Sequence, residues 1–161
     1  MRRLPVYLLL DTSGSMYGEP IAAVKNGVEM LLSTLRQDPY ALETAYISII
    51  TFDSTAQQVV PLTDLINFKV PDLVASGTTA LGSALTLVSS RIEKEVQKTT
   101  AETKGDWRPL VFVMTDGALL TIGKKALRNL KRHVLALLLL VRQDNQHKLM
   151  YSKISLKLYC S

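Results

Sequence analysis

Asp11-Thr12-Ser13-Gly14-Ser15 places one carboxylate and two hydroxyls at i, i+2 and i+4, directly after the apolar run of residues 4–10. Glycine between the two serines allows a turn sharp enough for all three side-chain oxygens to face one point. A donor set of hard oxygens, with neither His nor Cys in it, suits Mg²⁺ far better than zinc or copper. Two more polar clusters could add to it: Ser76-Gly77-Thr78-Thr79 ahead of Ala80-Leu81-Gly82, and Thr115-Asp116-Gly117. Asp11 and Asp116 at short range would repel each other, and a divalent cation between them turns that repulsion into attraction. The chemistry implied is cation binding with an open coordination position.

Such convergence needs a scaffold, and the pattern along the chain supplies one. Residues 6–10, 110–114 and 134–141 are short, nearly continuous apolar runs, as expected of parallel strands buried on both faces. Tyr-Ile-Ser-Ile-Ile-Thr-Phe at 46–52 is β-branched and aromatic, hence a strand. Residues 56–61 read as a short antiparallel edge strand joined to it by a turn at Asp53-Ser54. Apolar positions 21, 24, 28, 31, 32 and 35 repeat with helical period after Glu19-Pro20, and 81, 85, 88, 92 and 96 do the same. Residues 126–132 read as one more helix. The alternation predicts a doubly wound, mostly parallel α/β sheet of Rossmann-like type with helices on both faces. In such sheets ligands collect at the carboxyl ends of the strands, where the three polar clusters fall.

The chain has 161 residues, 47% of them hydrophobic and 20% charged, which suits one globular domain with a real core. Cys160 is the single cysteine, so no internal disulfide forms and a reducing, cytoplasmic setting is expected. Met1-Arg2-Arg3 before an apolar stretch has the outline of a signal peptide, but Pro5, Asp11 and the lack of a small-residue cleavage site argue against one. The run at 134–141 is too short to cross a bilayer. Net charge is +5, unevenly spread: residues 1–117 hold 10 Lys/Arg and 13 acids, net −3, and residues 118–161 hold 9 Lys/Arg and one acid, net +8. The basic residues are scattered with no aromatic–Arg platform, so nucleic acid is not the expected partner.

These residues resemble the von Willebrand factor A (VWA) domain family and its metal-ion-dependent adhesion site, written Asp-x-Ser-x-Ser, a Thr in a Gly-Thr loop, and a later Asp. The resemblance runs in order from about Leu4 to Gly117 and assigns Asp11, Ser13, Ser15, Thr79 and Asp116. Thr79 rather than Thr78 fits because the family threonine stands two residues before its Leu-Gly pair. The segments Asp-Thr-Ser-Gly-Ser-Met, Ile-Thr-Phe-Asp-Ser and Gly-Thr-Thr-Ala-Leu-Gly-Ser-Ala-Leu look like bacterial intracellular members, including those associated with tellurium resistance. The resemblance implies a binding module and no enzyme. Ser13 and Ser15 would ligate Mg²⁺, with Mn²⁺ or Ca²⁺ as substitutes. Thr79 would act directly or through water, and Asp11 and Asp116 through waters or as nearby charge. A partner protein's Asp or Glu would fill the open position.

The chain departs from the pattern after Asp116-Gly117, where an acidic turn is replaced by apolar Ala118-Leu119-Leu120-Thr121-Ile122. The domain is therefore expected over residues 1–141, with 142–161 an atypical tail. Local reading-frame slips over 119–123 and beyond about Val141 would explain both features and the basic surplus. Resequencing the DNA tests this: with no one-base shift restoring a family-like turn and last helix, the explanation fails. A missing last helix would expose a sheet face and favour dimerisation, unless residues 154–159 form an edge strand whose lysines discourage pairing.

Blander roles compete for each residue. Asp11 and the serines could merely cap a turn, Thr79 could be the N-cap of the following helix, and Asp53 reads as a hairpin residue. Trp107 reads as a packed loop anchor. The enzyme alternative is a haloacid-dehalogenase-like Mg²⁺ phosphotransferase, but that chemistry needs a second carboxylate where Ser13 stands. Lys124 and Lys125 are its only nearby lysines. A Gly-x-Ser-x-Gly elbow and a Gly-Lys-Ser/Thr phosphate loop are both absent.

Overall fold

The computed structural model describes residues 1–116, Leu130, 136–141 and 150–152. Strand β1 (Leu4–Asp11) leads through a short 3-10 turn (Gly14–Met16) into helix α1 (Glu19–Arg36) and the brief α2 (Pro39–Thr44). Strands β2 (Ala45–Phe52) and β3 (Ala56–Asp64) follow, then α3 (Leu81–Glu95), β4 (Leu110–Thr115), β5 (Ala136–Val141) and β6 (Met150–Ser152). The strands form one sheet in the order β3-β2-β1-β4-β5-β6. The inner four run parallel, and β3 and β6 close the two edges antiparallel.

β1 is buried on both faces because its alternate residues feed two different cores. Tyr7 and Leu9 pack with Ile50, Phe52, Val111 and Val113 against Ala84, Leu85, Val88 and Ile92 of α3. Val6, Leu8 and Leu10 pack with Ile47 and Ile49 against Val28 and Leu32 of α1. Helices thus cover both faces, as the two apolar periodicities predict. The segment Glu19-Pro20 opens α1, with Gly18 before it at φ +84°.

Several boundaries differ from the sequence reading. β3 is not a short strand ending at Pro61; it runs to Asp64. Proline has no N–H for the ladder, and the pairing shifts register there, from Ile49↔Val60 to Ile47↔Thr63. The Ser48 hydroxyl donates to the Val60 carbonyl at 2.7 Å at this irregularity, so an edge position absorbs the proline and the strand continues. Helix α2 is too short to show a period. Its signal is Asp38, whose carboxylate accepts from the N–H groups of Tyr40 and Ala41, followed by Pro39 in the first turn. The antiparallel edge is matched by a second at β6, which draws residues 150–152 into the sheet.

The expected helix at 126–132 lies outside the described residues apart from Leu130, which is helical and fully buried in the α3 core. Residues 119–123 and 154–159 also lie outside them, as do Lys124 and Lys125. Among the described residues no helix is long and apolar enough to cross a membrane.

Candidate functional site

Chain order and sheet order diverge at β1, which has β2 on one side and β4 on the other. The carboxyl ends of β1 and β4 therefore flank a switch point, the usual ligand position in such sheets. Register does the rest. Leu10 stands opposite Met114, so Asp11 and Thr115 fall side by side one residue further on.

Asp11 is 1% exposed, and both its oxygens are engaged. Oδ1 accepts from the Ser13 N–H at 2.9 Å and Oδ2 accepts from the Thr115 hydroxyl at 2.5 Å. Among the described residues Asp11 has no ion-pair partner, and these bonds lower the cost of burying its carboxylate. Ser13 is buried, and Ser15 is exposed on the 3-10 turn. Ser15 Oγ donates to Asp116 Oδ1 at 3.1 Å, which leaves the Ser13 hydroxyl to donate to Ser15 Oγ at 3.2 Å. Four of the five predicted residues thus form one hydrogen-bonded string across the ends of β1 and β4.

The loop that carries Thr79 is tied to the same edge through residues 76 and 77. The Gly77 carbonyl accepts from the Gly14 N–H at 2.9 Å, and the Ser76 N–H donates to the Thr12 carbonyl at 2.8 Å. These bonds need close backbone approach: a Cβ on Gly14 would lie 3.2 Å from the Gly77 oxygen. Thr79 is exposed and does not hydrogen-bond the string. Nor does it cap α3, whose N-cap is Ala80, with no side-chain capping bond.

The donors brought together are hydroxyl and carboxylate oxygens, the kind that suits a small hard cation. Mg²⁺ at 2.0–2.1 Å from its ligands in an octahedron sets neighbouring oxygens about 3 Å apart. The Ser13–Ser15 and Ser15–Asp116 spacings, 3.2 and 3.1 Å, are hydrogen-bond lengths close to that edge length. Among the described residues no group of three or more His, Cys, Asp or Glu is placed to hold a metal, so any ion here would depend on the hydroxyls.

Two residues outside the predicted set support the site. Thr115 orients Asp11, and its signal was the polar residue closing an apolar strand beside Asp116. Ser54, at the β2–β3 turn, bonds the Thr79 loop; nothing in sequence spacing connects it to residue 78. Asp53 is the hairpin residue expected: its carboxylate accepts from the Thr55 N–H at 3.0 Å. Trp107, expected as a packed loop anchor, is 44% exposed and ties its loop to the amino end of β1 rather than to the core. Its backbone N–H donates to the Arg3 carbonyl at 2.9 Å and the Arg2 guanidinium lies 3.9 Å from its ring centroid. Arg3 forks onto Asp106 at 2.9 and 2.6 Å beside it, and that carboxylate raises the guanidinium pKa.

Solved structures with the same fold come from varied settings. Proximal thread matrix protein 1 from the mussel byssus matches with a TM-score of 0.60 and 15% identity, over 87% of this chain and 38% of that one. The pilus adhesin SpaC from Lactobacillus rhamnosus GG, in its open conformation, matches at 0.55 and 21%, over 73% and 15%. The VWA domain of SpRpn10 matches at 0.57 and 17%, over 86% and 75%. The chain thus spans well under half of the first two proteins, and at these identities the likeness is one of fold. No curated protein sequence matches the chain. The sequence profile of the von Willebrand factor type A domain does match, over residues 6–118, a span running from the core of β1 to just past Asp116. With the sheet order and this match in agreement, the chain belongs to the von Willebrand factor type A domain family.

Proposed function

We propose that the protein is a Mg²⁺-dependent protein-binding module in which the β1–β4 edge captures an acidic side chain of a partner. The observation that supports this reading is the convergence of the Ser13 and Ser15 hydroxyls and the Asp116 carboxylate in one hydrogen-bonded string at the switch point, next to buried Asp11. Ser13 and Ser15 would hold the ion through their hydroxyls, Thr79 directly or through water, and Asp11 and Asp116 through waters or as nearby charge. When bound, the ion supplies a Lewis-acidic centre whose remaining water a carboxylate can replace. The residues do the positioning: Asp11 fixes the Ser13 backbone through its N–H, and Asp116 orients the Ser15 hydroxyl.

Family membership supports an interaction role over an enzymatic one, since VWA domains are generally interaction modules. Mn²⁺ or Ca²⁺ would substitute for Mg²⁺. The wider proposal is a role inside a bacterial cell, in stress or tellurium resistance, and it rests on the motif segments around Asp11, Ser54 and Thr79. The domain would occupy residues 1–141, with 142–161 a frame-altered tail that lends the sheet its edge strand β6.

Calorimetric titration with Mg²⁺ or Mn²⁺ tests the site. Wild type should give a saturable heat that Ser13→Ala abolishes, and identical curves count against the reading. Pull-down from a bacterial lysate should recover a partner that EDTA releases; capture indifferent to EDTA refutes the metal-bridged mode.

A further inference from the structure

The turn between β2 and β3 lies against the loop that carries Thr79. Ser54 Oγ accepts from the Thr78 N–H at 3.0 Å and from the Thr78 hydroxyl at 3.3 Å. Next to it, Gly77 has φ +69°, and a Cβ there would come within 2.4 Å of Ser54 Oγ. The hydroxyl thus fills the space that any side chain at position 77 would need. The turn itself is preformed. Asp53 N–H donates to the Thr55 carbonyl at 3.0 Å while the Asp53 carboxylate accepts from the Thr55 N–H.

Backbone bonds to Thr12 and Gly14 tether residues 76 and 77, and α3 takes over at Leu81. Ser54 supplies the tether at residue 78, immediately before the proposed ligand. We infer that Ser54 is a positioning residue, which holds Thr79 in register with the Asp11–Ser13–Ser15 edge without touching the ion. The inference rests on the metal-site reading above. Its physical basis is general: partners that orient ligands without contacting the metal are typically worth ~10–100-fold in affinity.

Mn²⁺ titration of four proteins tests it, with melting of each in the metal-free state. Wild type should bind and Ser13→Ala should not. Ser54→Ala should bind about tenfold more weakly, with its metal-free melting temperature lowered by no more than a few degrees. Ser54→Thr, which keeps the hydroxyl, should recover most of the affinity. Wild-type affinity in Ser54→Ala, beside a dead Ser13→Ala, overturns the positioning role and leaves the metal site standing. Absence of binding by wild type itself overturns both. One readout needs no variant that might fail to fold: the Thr78 amide of wild type should exchange slowly with solvent, and more slowly still with Mg²⁺. Exchange at the rate of an unstructured chain overturns the inference.

Discussion

Asp11 is held by its neighbours before any ion is considered. Its two oxygens accept from one backbone N–H and one threonine hydroxyl, and the residue is almost wholly buried. Asp11→Ala should therefore cost ~1–3 kcal/mol of stability in the absence of metal, measured by urea unfolding with EDTA present. No loss would mean that the carboxylate carries no structural share. Tyr7 offers a second residue-scale case. Its hydroxyl donates to Glu95 at 3.0 Å, and Gln58 donates to the same carboxylate at 3.0 and 3.2 Å. Burial first, then the Glu95 charge, push the phenol pKa far above its usual value of 10.0. The sign follows from proton counting: above about pH 10 the unfolded chain has lost the tyrosine proton while the folded chain keeps it, so stability falls as pH rises. The slope should be up to about 1.4 kcal/mol per pH unit from this one group. Tyr7→Phe should flatten that alkaline limb, and an unchanged limb would assign it elsewhere.

At the scale of elements, β1 both holds the sheet together and delivers the site. Leu9 is fully buried in the α3 core, so Leu9→Ala should cost about 2–5 kcal/mol, read from denaturant midpoints. The loop before α3 shows how a backbone conformation serves a side chain. Gly77 sits at φ +69° against Ser54, and Gly77→Ala would add both left-handed strain and a clash. That variant should weaken Mn²⁺ binding at least as much as Ser54→Ala; full affinity would show that the loop tolerates displacement. β3 teaches the opposite lesson about local signals. Pro61 looks like a stop, yet the strand continues through it because an edge has solvent, and the Ser48 hydroxyl, to receive the disrupted ladder.

For the molecule as a whole, function turns on which strand ends the topology makes adjacent. The order β3-β2-β1-β4 sets Asp11 beside Thr115 and Ser15 beside Asp116, about a hundred residues away in the chain. The position two residues after Asp11 belongs to a hydroxyl bonded to Ser15 rather than to a second carboxylate. An aryl phosphate incubated with the protein and Mg²⁺ should accordingly be left intact, and turnover abolished by Asp11→Asn would instead favour a phosphotransferase.

The doubly wound class, the strand cores and the two long helices were legible in local pattern. Burial on both faces of an inner strand and period-3.6 burial of a helix leave their mark along the whole element, as 6–10, 21–35 and 81–96 show. The three polar clusters stood out because each lies at the end of such an element, where burial does not require it, and the family resemblance narrowed them to Asp11, Ser13, Ser15, Thr79 and Asp116. What spacing could not supply was mutual distance. Only the folded register decided that Thr115 braces Asp11, that Ser15 reaches Asp116, and that Ser54 rather than Thr79 meets the backbone before α3. Those contacts join residues 24 to 104 positions apart, and their existence depends on which strands pair. Pairing is settled by the summed burial of two cores, a quantity that no single segment contains.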